Sequence, residues 1–219
     1  MVLAGVQRLA AVLVTIACVF SPVFAGATEK PAKIVVLGDS LSAGYGLAGQ
    51  DAFPSKLGIA LKAKGIDAEI INAGVSGDTA TGGLDRLGWS VPDSTDAVIV
   101  ELGANDALRG VNPSVTKKAL GEILGKLKAR NIPVLLAGML SPPNMGADYV
   151  KEFNAIYPAL AQQYGALLYP FFLDGVAAEA TLNQRDGMHP NSNGVDIIVQ
   201  RILPKVEELI GRVKTARGS

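Results

Sequence analysis

Cysteine is nearly absent from this sequence, since Cys18 is the only one in 219 residues. It lies in an apolar N-terminal segment that we expect to be removed, so the mature chain would have no thiol. The absence of a thiol excludes disulfides, a cysteine nucleophile and a thiolate metal site. The domain must therefore be stabilised by its hydrophobic core, and 49% of the residues are apolar.

The sequence also lacks an excess of charge, because its 20 lysines and arginines balance its 20 aspartates and glutamates. This balance gives no support to a nucleic-acid partner, which a basic surplus would indicate. His189 is the only histidine. Without cysteine, a metal site around it would have only carboxylates as further ligands, which argues against a metal hydrolase. Aromatic residues make up 5% of the chain, too few to favour the stacking platforms of extended sugar sites.

The N-terminal segment has the features of an export signal. Arg8 supplies a positive charge, and the run from Leu9 to Phe20 is almost wholly apolar. A membrane-spanning helix needs ~20 apolar residues, so we favour a cleaved signal over an uncleaved anchor. Small residues fit cleavage after Ala25 or after Ala27. We expect a signal peptide over residues 1–27, one domain over residues 28–219, a periplasmic or secreted location, and no stable membrane anchor after cleavage.

Five short apolar runs predict the strands of one sheet. Each run is continuous rather than alternating, as expected for parallel strands that are covered on both faces. Helical patterns lie between them, and this alternation predicts right-handed crossovers in a three-layer α/β/α sandwich with a five-stranded parallel sheet. The predicted strands are Lys33–Leu37, Ala68–Asn72, Ala97–Leu102, Val134–Met139 and Ala166–Tyr169.

Three longer helices are predicted around these strands. The clearest runs from Pro113 to Arg130, with Asn112 as its N-cap and proline in the first helical position. The others cover Asp148–Tyr164 and Ser192–Val213, where Pro158 and Pro204 either kink the helices or divide them. The stripe predicted to be buried on the first helix is Leu120, Ile123, Leu124 and Leu127.

A serine follows the first predicted strand, at the edge of the sheet where open α/β folds bind ligands. Ser40 lies in the sequence Gly38-Asp39-Ser40-Leu41-Ser42-Ala43-Gly44, where the chain passes from strand to helix. Its backbone N–H then points into the site, near the positive end of the helix. The alternative is that Ser40 is only an N-cap. The segment is not the Gly-x-Ser-x-Gly elbow of α/β-hydrolases.

The single histidine has an aspartate three residues before it, in Asp186-Gly187-Met188-His189-Pro190-Asn191. Glycine and proline indicate a turn here rather than a packed helix. A serine nucleophile needs a base and a group that fixes the tautomer of that base. Asp186 and His189 provide both from one short loop. A lone histidine is more often structural, so the catalytic interpretation of His189 depends on the presence of Ser40.

Two further loops at strand ends carry residues that suit an oxyanion. Asn72–Thr79 follows the second strand, and Gly103–Asp106 follows the third. Glycine allows the backbone to approach a substrate, and an asparagine side chain donates hydrogen bonds. Either loop alone would indicate only a turn. Their placement at successive strand ends strengthens the prediction of a catalytic site.

These segments resemble the four sequence blocks of the GDSL/SGNH hydrolases, in the order in which the family has them. The blocks are Gly38-Asp39-Ser40-Leu41, Gly74 within Asn72–Thr79, Gly103-Ala104-Asn105-Asp106 and Asp186-Gly187-Met188-His189-Pro190. The resemblance runs from Lys33 to the final helix. Within the family, the sequence most resembles the subgroup of exported bacterial arylesterases and acyl-CoA thioesterase I/lysophospholipases. The segments that carry this resemblance are Gly38–Tyr45, Val100–Gly110 and Ile156-Tyr157-Pro158.

The resemblance implies a role for each matching residue. Ser40 is expected to be the nucleophile, His189 the general base and then acid, and Asp186 its orienting partner. The oxyanion hole is expected to use the backbone N–H groups of Ser40 and Gly74 and the side chain of Asn105. Asp39 and Asp106 are expected to tie loops together. The family also implies a flavodoxin-like sheet with no metal and no cofactor.

The predicted substrate is a small-molecule or lipid-like ester: an aryl or short-to-medium acyl ester, a thioester or a lysophospholipid. The segment Leu108–Thr116 resembles an acyl-contacting loop of the thioesterase-like subgroup. An acyl groove is predicted to be lined by Leu108, Val111, Pro143 and Met145, although these residues are equally suited to ordinary contacts at the edge of the core. The alternatives are a carbohydrate acetyl esterase of the same fold and a non-catalytic module that binds acyl chains or glycans. Gly44–Gly49 also satisfies the dinucleotide pattern G-x-G-x-x-G, but it comes too late after the strand to form the required turn.

Overall fold

Five parallel strands form the centre of the fold in a computed structural model that describes residues 30–218. The signal peptide predicted for residues 1–27 lies outside the described residues. The strands lie side by side in the order β2-β1-β3-β4-β5, and every neighbouring pair is parallel. This order is that of flavodoxin-like sheets, which bind ligands where the strand order reverses, beside β1 and β3. The strands are β1 Ala32–Gly38, β2 Ala68–Gly74, β3 Ala97–Glu101, β4 Val134–Ala137 and β5 Leu167–Tyr169.

All five strands were predicted from their apolar runs, with ends that differ by one or two residues. The expectation that they are covered on both faces holds for β1, β3 and β4, whose residues are buried except for Lys33. It is wrong for β2, where Glu69 and Asn72 are exposed. β2 has one neighbouring strand and lies at the edge of the sheet, so its apolar side chains are only partly covered.

Helices flank the sheet in two groups. In one group α2 packs against α9, with α2 in contact with β2 and α9 in contact with β3, β4 and β5. In the other group α6 packs between α3 and α8. This arrangement confirms the predicted α/β sandwich with a five-stranded parallel sheet. Within residues 30–218 the α-helices are α1 Ser40–Ala43, α2 Phe53–Ala63, α3 Ala80–Asp85, α4 Leu87–Ser90, α5 Ala104–Leu108, α6 Pro113–Ala129, α7 Ala147–Asn154, α8 Ile156–Tyr164 and α9 Ser192–Arg217. Short 3-10 helices cover Gly49–Asp51 and Pro143–Met145.

The helix α6 begins as its sequence predicts. The side chain of Asn112 accepts a hydrogen bond from the Ser114 N–H at 2.9 Å, and Pro113 occupies the first position. The helix ends at Ala129, one residue before the predicted end. The predicted stripe of Leu120, Ile123, Leu124 and Leu127 is buried.

The two interior prolines have different outcomes. The predicted helix over Asp148–Tyr164 is divided into α7 and α8, and Pro158 lies in the first turn of α8, where a backbone N–H has no helical partner to lose. By contrast, α9 continues through Pro204 to Arg217, beyond its predicted end. Pro204 is exposed, while neighbouring residues on the opposite side of α9 are buried in the core, so packing holds the helix together.

No helix among residues 30–218 is both long enough and apolar enough to span a membrane.

Candidate active site

Ser40 is placed at the carboxyl end of β1 as the first residue of α1. The N-cap is Asp39, whose Oδ1 accepts a hydrogen bond from the Leu41 N–H at 3.0 Å. Ser40 is therefore not the cap of its own helix, and its hydroxyl is left for another partner. Its N–H lies in the first turn, where backbone donors have no acceptor within the helix. Both groups lie at the carboxyl ends of the strands, where the sequence predicts the site.

His189 lies between Ser40 and Asp186. Its Nε2 is 2.9 Å from Ser40 Oγ, and its Nδ1 is 2.7 Å from Asp186 Oδ2. A carboxylate at Nδ1 favours the tautomer that carries its proton there, which leaves Nε2 to accept a proton from the serine. The structure thus brings together the nucleophile, base and orienting acid predicted from the sequence, across a separation of 149 residues.

Asp186 is held as a carboxylate by the loop that carries it. Its Oδ1 accepts hydrogen bonds from the backbone N–H groups of His189 at 3.0 Å and Met188 at 2.9 Å. These two bonds, followed by the bond to the His189 ring, lower the pKa of Asp186 to about 2. The loop therefore orients the imidazole and keeps a negative charge beside it.

Asn105 lies in the first turn of α5, behind the turn that follows β3. Gly103, the N-cap of α5, has a φ of 113°. A Cβ on Gly103 would lie 2.1 Å from Tyr157 Oη. The hydroxyl of Tyr157 donates to Leu102 O at 2.9 Å, so the close approach needs glycine. Asn105 Nδ2 donates to Asp78 O at 2.9 Å and to Asp39 Oδ2 at 3.2 Å.

Gly74 does not have a free backbone donor. Its N–H donates to Asn72 Oδ1 at 2.9 Å, and it is not among the residues that line the cavity beside Ser40. A Cβ at this position would lie 2.4 Å from Ala43 N, so the lack of a side chain lets β2 pack against α1. Gly74 is therefore packed against the helix that carries Ser40, and its role as an oxyanion donor stays a prediction.

Gly77, three residues later in the same loop, lies in a tight turn that is closed by a hydrogen bond from Asp78 N to Val75 O at 3.1 Å. It occupies the third position of this turn with a φ of 87°, which favours glycine. It directly precedes Asp78, whose carbonyl accepts a hydrogen bond from Asn105. This glycine therefore helps to place the carbonyl that holds Asn105.

Two buried carboxyl groups lie beneath the nucleophile. Burial raises the pKa of Asp39 to about 6. Burial, and then the charge of Asp39, raise the pKa of Glu101 well above its ordinary value. Ser42 Oγ donates to Glu101 Oε2 at 2.7 Å, so the end of β3 holds the helix that carries Ser40. Asp106 ties loops as expected, accepting from Ala80 N and Thr116 Oγ1, both at 2.8 Å.

A cavity of about 450 Å³ opens beside Ser40, Asn105 and His189. Of the four residues predicted to contact an acyl group, Leu108 and Pro143 line it, whereas Val111 and Met145 do not. The Val111 carbonyl instead accepts a hydrogen bond from Tyr149 at 2.8 Å, which ties that residue to α7. Further apolar residues of the lining come from the loops after β4 and β5, where the strand-end rule alone would have found them: Leu140, Pro142, Phe171, Leu173 and Met188.

Two alternative sites have no counterpart in the described residues. No group of three histidine, cysteine, aspartate or glutamate side chains in that part of the chain is arranged to hold a metal ion. The glycine pattern Gly44–Gly49 begins at the end of α1, where Gly44 is the C-cap. It therefore does not form the strand-to-helix turn that binds a dinucleotide.

Comparisons with known proteins agree with this geometry. The GDSL-like Lipase/Acylhydrolase family profile matches residues 36–197. The chain is 38% identical over 178 residues to the Thioesterase 1/protease 1/lysophospholipase L1 of Escherichia coli (strain K12), a match that covers 81% of this chain and 84% of the relative. It is 41% identical over 165 residues to the Arylesterase of Vibrio mimicus, covering 75% of this chain and 82% of the relative.

A solved structure gives a similar match. The crystal structure of AlinE4, an SGNH-hydrolase family esterase, has 47% sequence identity to this chain and a TM-score of 0.70. The match covers 83% of this chain and 98% of that protein. Sequence and fold are therefore alike over nearly the whole of the solved relative.

Proposed function

Because the chain belongs to the GDSL-like lipase/acylhydrolase family, we propose that it is a serine hydrolase that cleaves carboxylic esters through an acyl-Ser40 intermediate. The observation that carries this proposal is the placement of His189 Nε2 2.9 Å from Ser40 Oγ and of His189 Nδ1 2.7 Å from Asp186 Oδ2. This is the geometry that a nucleophile, its base and the partner of that base require.

The reaction proceeds in two halves. Ser40 Oγ attacks the carbonyl carbon while His189 Nε2 takes its proton, and Asp186 stabilises the imidazolium that forms. When the tetrahedral intermediate collapses, the bond to the alcohol oxygen breaks and His189 gives that oxygen the proton. Water then attacks the acyl group with the same base, which releases the acid and restores Ser40.

The oxyanion receives its hydrogen bonds from three groups in this proposal. The Ser40 N–H is the first, because it stands unpaired in the first turn of α1. Asn105 is the second, and it gives up the longer of its two hydrogen bonds, the 3.2 Å bond to Asp39, to reach the substrate. The third is the backbone N–H of Gly74, which packs against the turn that carries Ser40 and exchanges its 2.9 Å hydrogen bond to Asn72 Oδ1 for one to the oxyanion.

The substrate proposed is an ester whose aryl or short-to-medium acyl group is uncharged. No lysine, arginine, aspartate or glutamate lines the cavity in the described part of the chain, and most of its lining is apolar. Apolar lining favours a hydrocarbon chain, since burial contributes roughly 0.8 kcal/mol per methylene. Thioesters and lysophospholipids present the same carbonyl and remain within the proposed reaction. A carbohydrate acetyl esterase is less well supported, because Phe171 is the one phenylalanine, tyrosine or tryptophan that lines this cavity.

Hydrolysis of p-nitrophenyl esters from acetate to palmitate tests the proposal. The wild type is compared with Ser40→Ala and with the control variant Ser94→Ala. Ser94 is an exposed serine that precedes β3, at the opposite end of the strands from Ser40. We expect turnover in the wild type and in Ser94→Ala, and none above background in Ser40→Ala. Absence of turnover for every chain length in the wild type would contradict the proposal and favour a non-catalytic acyl-binding module.

Export is also proposed, on the basis of the N-terminal sequence. An apolar run after Arg8 and small residues up to Ala27 fit a cleaved signal peptide, and the protein is then periplasmic or secreted. N-terminal sequencing of the protein recovered from the periplasm and the medium is expected to begin at Gly26 or Thr28. Recovery of the uncleaved chain in the cytoplasm would contradict export without affecting the proposed reaction.

A further inference from the structure

The ring of Tyr45 packs against the ring of His189. The two centroids are 4.6 Å apart with an angle of 38° between the planes. Tyr45 is 54% exposed, whereas the side chain of His189 is only 18% exposed. Tyr45 does not line the cavity beside Ser40. The imidazole is therefore in contact at Nδ1 with Asp186, at Nε2 with Ser40 and through its ring with an aromatic side chain from another loop.

The backbone of Tyr45 is fixed from both sides. Its N–H donates to Ser40 O at 3.1 Å, so the loop that carries the ring starts from the nucleophile itself. Its carbonyl accepts a hydrogen bond from Gln184 Nε2 at 2.7 Å. The position of the ring thus follows that of Ser40 on one side and that of Gln184 on the other.

Gln184 joins the loop of Tyr45 to the loop of His189. Its backbone N–H donates to His189 O at 2.7 Å, and its Nε2 also donates to Pro190 O at 3.0 Å. The amide oxygen occupies the space beside Gly46, where a Cβ would lie 2.2 Å from Gln184 Oε1. One glutamine therefore connects the chain on both sides of the contact between the two rings.

We propose that Tyr45 is a positioning residue for the base, and that Gln184 holds it in place. The ring of Tyr45 fixes the imidazole between Ser40 and Asp186 and stabilises its protonated form, because an aromatic ring attracts a cation placed over it. That form is the one that exists while the acyl group is transferred. The charged groups that act on the imidazole from the surrounding elements are the carboxylates of Asp186 and Asp39. This inference rests on the proposed serine-hydrolase reaction.

The test compares Tyr45→Ala with Tyr45→Phe in the mature protein, using a p-nitrophenyl ester that the wild type hydrolyses. Tyr45→Ala is expected to lower kcat by roughly 3- to 30-fold, since it removes both the ring attraction and the orientation of the base. KM is expected to stay within about twofold, because the ring is outside the substrate cavity. Tyr45→Phe keeps the ring and is expected to retain the wild-type kcat.

The pH profile of kcat separates positioning from a merely structural role. Loss of the ring attraction is expected to move the acid limb of the kcat profile of Tyr45→Ala to lower pH, while Tyr45→Phe keeps the wild-type profile. Gln184→Met, which keeps the length of the side chain without its amide, is expected to lower kcat without raising KM. Trp89→Ala removes another exposed aromatic side chain, on α4, and is expected to change nothing.

The outcomes are distinguishable. An active wild type with unchanged kcat and an unchanged acid limb in Tyr45→Ala would overturn this inference and leave the proposed function intact. A loss of kcat in Tyr45→Phe as large as that in Tyr45→Ala would also overturn it, because the hydroxyl rather than the ring would then matter. An inactive wild type would overturn the proposed function and this inference with it.

Discussion

The guanidinium of Arg86 donates from Nε to Asp78 Oδ2 at 2.5 Å. Arg86 is buried, and it also donates to Gly38 O at 2.8 Å and to Ala73 O at 2.7 Å. One side chain therefore links the end of β1, the end of β2 and the loop whose carbonyl contacts Asn105. The nucleophile and the proposed oxyanion donors are held at the edge of the sheet by the same buried cation.

Arg86→Met is expected to lower the free energy of unfolding by roughly 3–5 kcal/mol, because it leaves the largely covered carboxylate of Asp78 and the carbonyls of Gly38 and Ala73 without their donor. Urea unfolding followed by circular dichroism measures this difference. Arg130→Met is the matched control, since Arg130 pairs at 3.4 Å with the fully exposed Asp93. The control is expected to lose at most about 1 kcal/mol. Equal losses in the two variants would contradict the role of Arg86.

Asn105→Ala is expected to lower kcat by roughly 10²–10³, since one oxyanion donor is lost from the transition state. Steady-state kinetics on a p-nitrophenyl ester provide the measurement, and KM is expected to change little. Thermal unfolding of the same preparation shows whether the variant is folded. Turnover equal to that of the wild type would remove Asn105 from the proposed oxyanion hole.

The buried carboxyl of Asp39 makes stability depend on pH. Its pKa is raised from 3.8 to about 6 by burial, so protonation favours the folded state. Its favourable contribution is fully present below about pH 4 and is lost as the pH rises through about 6, a difference on the order of 3 kcal/mol over the whole range. Thermal unfolding at pH 5 and pH 7.5 is the measurement. The wild type is expected to gain more stability on acidification than Asp39→Asn.

Asn is a suitable replacement at position 39 because it caps a helix as well as aspartate does. The hydrogen bond to the Leu41 N–H is therefore kept while the titrating group is removed. The pKa of Glu101 is raised by burial and then by the charge of Asp39, so its contribution to the pH dependence persists in Asp39→Asn but is smaller there. The same pH dependence in Asp39→Asn and in the wild type would show that Asp39 does not carry the effect.

Leu108→Ala is expected to lower kcat/KM for an octanoate ester by roughly tenfold while leaving the acetate ester nearly unaffected, since only the longer chain reaches an apolar wall. Val111→Ala is the matched control from the same segment, because Val111 does not line the cavity. The ratio of the two substrates in each variant is the readout. An equal effect of the two substitutions would mean that the acyl chain lies elsewhere.

Much of the site was predictable because its signals are local. Continuous apolar runs predicted all five strands, and the single histidine three residues after Asp186 predicted the base and its partner. The family resemblance drawn from four sequence blocks is confirmed by the match over residues 36–197. Each of these signals lies within a short stretch of sequence, and the family resemblance adds only the order of four such stretches.

The remaining features depend on contacts between segments distant in sequence. Arg86 reaches Gly38 across 48 residues, and Glu101 reaches Ser42 across 59, and no local pattern marks either residue. The use of the Gly74 N–H by Asn72 follows from a side-chain conformation, which is not written in the spacing of glycines. The walls of the cavity come from the segments after four different strands, so Leu140 and Phe171 gain their importance only when the sheet has formed.

Ser40 and His189 are 149 positions apart in the sequence, so they are also synthesised at different times. Ser40 emerges from the ribosome near the start of the domain, whereas His189 emerges shortly before α9, the last helix. During synthesis the serine therefore has no base beside it, and an unfinished chain is inactive. A chain that crosses a membrane unfolded is inactive for the same reason, because Ser40 gains its base only after the C-terminal segment has crossed and folded. Truncation between β5 and Asp186 would leave a protein that contains every strand of the sheet and no base to activate its serine.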